Sequence, residues 1–191
     1  MENNIFYPLV VPACYKEIVA KIINGLYKIP RTGFKDRGVE NPETVGQHVD
    51  SSIKLAKKLF PNRWRVFLML KIHDWPEFIL NFDPRTDHLA PVETRLTKEK
   101  KKELELEAMT LICDQLGAFG LEIFALWEEF ETGKTKDAQT AKQVEHGQSI
   151  FMAHDYEQAG QSVIAKEFYD YYKWEMVDPL IIEELASIGF S

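Results

Sequence analysis

The chain has 191 residues, is 45% hydrophobic and carries a formal net charge of -7. That length and apolar content fit one globular domain with a sizeable core. The acidic balance argues against a protein that coats nucleic acid or an anionic membrane, because both demand basic surface. It leaves a small anionic substrate open, since a metal and a few local bases can hold one phosphate.

The apolar run from Ile5 to Ala13 holds two prolines and is too short to span a bilayer. No signal peptide is recognisable, and Cys14 and Cys113 form neither a metal-ligand spacing nor a disulfide framework, so a cytoplasmic location is expected. Residues 16–28 show helical spacing at Ile18, Val19, Ile22, Ile23 and Leu26. A turn-rich stretch follows from Pro30 to Asn41, with Gly33 and Gly38. A helix is predicted from near Pro42 to about Phe60, with Asn41 as N-cap and proline at the first helical position. Pro61-Asn62 ends it, and another helix covers about 63–73, with a short one following the pair His73-Asp74.

Residues 81–96 contain Asp83-Pro84-Arg85-Thr86 and Pro91 and read as a loop. A charged helix over about 97–116 follows, and its Lys/Glu run reads as a solvated face. Gly117 and Gly120 separate it from a helix over about 121–131, and Gly133 breaks the chain again. Helices over about 135–158 and 161–175 and a short one after Pro179 complete the chain. No segment alternates with period two. The expected fold is all-α: a single compact helical bundle with a core over about 16–175 and a C-terminal helical extension over about 176–191.

The residues with the most chemistry are His48, His73 and Asp74. His48 shares its helix face with Ser52, Leu55, Ala56 and Leu59, which is the face expected to be buried. A buried histidine must satisfy both ring nitrogens, either with backbone groups as a core residue or with a metal. His73 reads equally as a favourable charge at a helix end. Together they mean more, because one helix cannot surround an ion and these ligands come from two. A mixed imidazole and carboxylate set suits Mn, Fe, Co, Ni or Zn.

Three ordered blocks extend this pattern. They are Arg31 through His48, then His73-Asp74-Trp75-Pro76-Glu77, then Leu126 to Thr132 with Lys142-Gln143-Val144-Glu145 and Asp155-Tyr156-Glu157. In these blocks the chain resembles the HD-domain metal-dependent phosphohydrolases, most closely their 5′-deoxynucleotidase branch, over roughly residues 16–175. The resemblance implies an HD-domain bundle with one divalent transition metal held by His48, His73, Asp74 and Glu145. It implies Glu77 as the group that orients or deprotonates the attacking water. It makes Arg31 the phosphate anchor and Asp83 a leaving-group or sugar contact. The aromatic that meets the sugar in some relatives directly follows that arginine, where this chain has Thr32, and Phe34 is the candidate to substitute for it. Its activity would be conversion of deoxynucleoside 5′-monophosphates to deoxynucleosides and phosphate. Another nucleotide such as a triphosphate, another small phosphate ester, or a degenerate binding protein are the alternatives. Relatives of this kind are commonly homodimers, and Tyr169, Tyr171, Tyr172 and Trp174 offer a surface for one or pack on the core.

The chain departs from the pattern at Glu145, where aspartate is usual, and at Gln148, where an acidic residue is usual. It also has Asn81-Phe82-Asp83 in place of Gly-Asp. Glutamate is longer than aspartate by one methylene, roughly 1.5 Å. Glu145 must therefore fold back, come from a more distant helix, or bind through a water.

Overall fold

A computed structural model describes residues 9–86 and 95–190. The expected 81–96 loop and the Ile5–Ala13 run lie partly outside them. After a 3-10 turn at Ala13–Tyr15, helix α1 runs over Lys16–Leu26 and buries Val19, Ile22 and Leu26, one face at helical spacing. The short α2 is Thr32–Lys35, α3 is Val45–Leu59, α4 is Trp64–Ile72 and α5 is Trp75–Leu80. Then come α6 over Lys98–Gln115, α7 over Gly117–Thr132 and α8 over Lys136–Gln158. The last two are α9 over Ala165–Tyr172 and α10 over Pro179–Ala186. Among the described residues there is no strand, only an isolated bridge between Pro30 and Thr44.

Helix α8 is the central post and packs against α3, α4, α7, α9 and α10. One core cluster joins α1, α5, α6 and α7 around Ile22, Trp75, Met109 and Ile123. A second joins α3, α4, α8 and α10 around Ala56, Met69, Val144 and Ile181. The α4–α5 junction spans both: Met69 and Leu70 belong to the second cluster, Ile72 and Trp75 to the first. All four are fully buried, and burying each such side chain stabilises by roughly 1.5–3 kcal/mol. The turn carrying His73 and Asp74 is thus clamped at the seam between two cores.

Several boundaries differ from expectation for local reasons. Helix α3 begins at Val45, not Pro42. The Thr44 hydroxyl accepts from the Gln47 amide N–H, and Gln47 Oε1 accepts from the Thr44 N–H at 2.8 Å, a capping box. Asn41 is instead a turn residue with φ 53°. Helix α7 begins at Gly117 and contains Gly120, where a Cβ would sit 2.0 Å from the Cys113 carbonyl oxygen. Glycine there permits the tight α6–α7 corner. The helix expected over 161–175 starts at Ala165 and gives way to a 3-10 turn at Lys173–Glu175.

Candidate metal centre

Three elements converge on the α4–α5 junction. Helix α3 supplies His48 from its first turn, and the ring is fully buried. Helix α4 ends at His73, whose backbone N–H still bonds to the Met69 carbonyl at 3.0 Å. Asp74 then caps α5, and Pro76 sits in the first turn of that helix, where a missing N–H costs nothing. The proline starts α5 rather than ending α4, and this turns Glu77 into the interior, where it is 2% exposed.

His48, His73 and Asp74 each offer a ligand atom within 4.8 Å of the other two. The donor atoms are in the right state. His73 Nδ1 lies 2.8 Å from the Leu70 carbonyl, which can only accept, so Nδ1 carries the proton and Nε2 the lone pair. That Nε2 is 3.1 Å from Asp74 Oδ2. Apart from that contact, His48 Nε2, His73 Nε2 and Asp74 Oδ2 are buried without a hydrogen-bond partner. Buried polar atoms are normally satisfied, so three orphaned lone pairs facing one another fit a divalent cation.

The electrostatics agree. Burial disfavours the charged imidazole of His73, but the Asp74 carboxylate outweighs it and raises the His73 pKa. Burial likewise opposes the Asp74 charge, and His73 with His48 and Arg31 overcomes it, holding Asp74 well below the usual carboxylate range. The pocket already favours positive charge among these atoms. A mixed nitrogen and oxygen set of this kind suits a divalent transition ion.

Glu145, on α8, stands outside the three-residue set. Its Oε2 lies 3.6 Å from His146 Nε2. Burial would raise its pKa, yet His146, His73 and His48 lower it to about 2, so its charge faces the same histidines.

Arg31 lies between the bridge to Thr44 and α2, and its N–H donates to the Glu43 carbonyl at 2.9 Å. Its guanidinium is 4.0 Å from Asp74 Oδ2 and 3.8 Å from Asp83 Oδ2, and it donates to Ser149 Oγ at 3.2 Å. Burial works against its charge, but Asp83, Asp74, Glu43 and Glu77 together raise its pKa further. Asn81, with φ 58°, turns the chain out of α5. Asp83 returns inward and accepts the Thr32 N–H at 2.8 Å. Arg85 donates to Asp36 Oδ2 at 2.8 Å and ties the same loop to the end of α2.

Phe34 is a correction. It is 1% exposed, stacked on Phe168 at 5.0 Å and edge-on to Tyr156 at 5.1 Å. A ring this enclosed packs the core and has no face left for a sugar. The late aromatics divide as well: Tyr169 stacks on Phe190 and Tyr172 on His146, while Trp174 is 82% exposed.

The charged face of α6 is also not simply solvated. Glu105 is buried and accepts from Lys101 Nζ at 2.7 Å, and the Lys101 charge is further favoured by Glu77. An i,i+4 Lys–Glu pair reads as a surface pair, so no local pattern pointed to this. Glu43 and Ser149 were likewise legible only once α8 was in place.

An all-helical bundle with a buried imidazole–carboxylate triplet beside an anchored arginine has the donor set for a divalent cation and a fixed positive charge next to it. The HD domain family profile matches residues 23–176, and the chain belongs to that family. It is 28% identical over 174 residues to the zebrafish (Danio rerio) protein named 5′-deoxynucleotidase HDDC2, covering 88% of this chain and 84% of that one. The fission yeast (Schizosaccharomyces pombe) 5′-deoxynucleotidase hdd1 is 29% identical over 143 residues, covering 71% and 69%. The fold is similar to that of a conserved hypothetical protein from Pyrococcus furiosus. That likeness has a TM-score of 0.67 at 20% identity, over 91% of this chain and 98% of that one.

Proposed function

We propose that this protein is a metal-dependent phosphohydrolase that converts deoxynucleoside 5′-monophosphates to deoxynucleosides and phosphate. The observation that carries the reading is the orphaned triplet His48 Nε2, His73 Nε2 and Asp74 Oδ2, with Arg31 4.0 Å from the last of these. The family membership and the names of the relatives support it. His48, His73 and Asp74 would hold the metal, and Glu145 would complete the set from α8.

When bound, a divalent cation supplies Lewis-acid stabilisation to a phosphoryl oxygen. The chain's own residues supply the rest. Arg31 presents a fork of donors that fits two phosphate oxygens, and its carboxylate neighbours hold that fork in place. Burial, then Asp74 and Asp83, keep the Glu77 pKa well above the ordinary carboxylate range. In its ionised form Glu77 would accept a proton from the attacking water. The water oxygen bonds to phosphorus, the bond to the 5′-oxygen breaks, and that oxygen takes up a proton. That proton is the one Glu77 takes from the water, and Asp83, whose carboxylate lies beside Arg31, is suited to pass it on or to contact the sugar.

The partner is a small nucleotide, and among the described residues no helix is long and apolar enough to cross a membrane. A homodimer is part of the proposal, supported by the exposed run of Trp174, Val177 and Leu180 at 82, 70 and 44%. The test is phosphate release from dAMP, dCMP, dGMP, dTMP and dUMP with added Mn or Co, against the ribonucleotides and dNTPs. Release from the deoxy monophosphates is expected. Silence with every metal removes the reading, and hydrolysis of triphosphates alone transfers it to another nucleotide.

A further inference from the structure

We infer that Gln148 is a positioning residue that sets the tautomer of His48, and that Glu43 sets the orientation of Gln148. The inference rests on the metal-site reading above and concerns how one ligand is prepared.

Gln148 is 4% exposed and joins two buried groups. Its Nε2 donates to Glu43 Oε2 at 3.1 Å, and its Oε1 faces His48 Nδ1 at 2.5 Å. A primary amide has one end that only donates and one that only accepts. Glu43 Oε2 accepts in this contact, so it takes the amide nitrogen. The amide oxygen is then forced toward His48. An oxygen that only accepts requires a proton on Nδ1, because two lone pairs at 2.5 Å would repel. The second Glu43 oxygen, 3.7 Å from the same Nδ1, favours that proton too. The lone pair is thereby placed on Nε2, the buried atom that meets His73 and Asp74.

The Glu43 backbone is itself fixed through both its N–H and its carbonyl. Its backbone N–H donates to Tyr156 Oη at 2.7 Å and its carbonyl accepts from the Arg31 N–H at 2.9 Å. The relay therefore runs from the Arg31 segment through Glu43 and Gln148 to His48. An acidic side chain at position 148 would set two buried carboxylates against each other. The amide carries the same acceptor to His48 without that second charge. His73 needs no such relay, because the Leu70 carbonyl performs the same task from within its own helix.

The test reads the ring directly. Long-range proton–nitrogen NMR of the metal-free protein, with His48 assigned by a His48→Asn variant, should show the Nδ1–H tautomer. Gln148→Met keeps length and volume but removes the acceptor. It should mix the tautomers or invert them, and weaken Mn or Co binding about 10- to 100-fold by calorimetry. Gln148→Glu retains the acceptor and should retain the Nδ1–H signal. If Gln148→Met does not fold, Glu43→Gln decides, since an amide at 43 no longer dictates which end of Gln148 faces His48. A single Nδ1–H tautomer in the folded Met variant, with unchanged metal affinity, overturns the inference. So does an Nε2–H signal in the unaltered protein. Neither measurement involves a substrate, so failure here is distinct from failure of the proposed activity.

Discussion

Asp83 Oδ2 accepts the Thr32 N–H at 2.8 Å, and by that bond the loop after α5 is fastened to the residue beside Arg31. The same oxygen stands 3.8 Å from the Arg31 guanidinium. Asp83→Ala removes both contacts and leaves the arginine held by Asp74 and Ser149. We expect kcat/KM for deoxynucleoside monophosphates to fall at least about tenfold, or ~1.4 kcal/mol. Arg31→Ala should raise KM more steeply, and Arg31→Lys should not restore it, since a point charge lacks the planar fork. Metal content by elemental analysis should be unchanged in all three. Loss of metal would mean that Arg31 supports the ligands rather than the phosphate.

Glu77 sets stability against activity. Burial first, then Asp74 and Asp83, raise its pKa in the folded protein. The folded chain keeps a proton that the unfolded chain releases. That stability is fully present below the ordinary carboxylate pKa and is lost as pH rises through the raised folded value. Glu77→Gln removes the titration. With chelator present, the variant should melt higher than the parent at neutral and alkaline pH, by on the order of 1 kcal/mol or more, with a flatter pH profile. Its turnover should drop by roughly 100-fold or more. Parallel melting profiles for the two proteins would remove the claim that Glu77 is buried with a proton.

Glu145 tests the fourth ligand. His146, His73 and His48 lower its pKa to about 2, so it remains anionic beside the cluster through mildly acidic pH. Glu145→Gln discards the charge but keeps the shape. Titration with Co should show affinity at least about tenfold weaker. Unaltered affinity would leave His48, His73 and Asp74 as the complete protein shell.

Trp127 ties α7 to the site: its indole N–H donates to the His73 carbonyl at 3.2 Å. Trp127→Phe keeps an aromatic in the core but leaves that carbonyl short of a partner. Denaturant unfolding should show a loss of about 1–3 kcal/mol. Metal affinity should fall with it if the bond helps to hold the His73–Asp74 turn.

The sequence by itself determined the helical class and singled out His48, His73 and Asp74, the three side chains that converge in the fold. Helical spacing at Val19, Ile22 and Leu26 and the breaks at Pro61 and Gly133 are local signals, and local signals survive without tertiary context. The pair His73-Asp74 was legible because adjacent ligands at a helix end are set by one stretch of chain. Thr44 was the true cap of α3 because its reciprocal bonds with Gln47 outweighed the nearby Asn41-Pro42.

Tertiary structure decided the rest. Phe34 looked available to a sugar, but α8 and α9 enclose it. Lys101 and Glu105 looked solvated, but α6 packs on α5, Glu105 is buried against Lys101, and the Lys101 charge is felt by Glu77. Gln148 looked like a missing acid, but Glu43, 105 residues away in sequence, makes its amide a directed acceptor for His48. The physical reason is common to all three. Hydrophobic spacing says which side of a helix is buried, whereas a hydrogen bond or a charge shift depends on which atom another helix places against it.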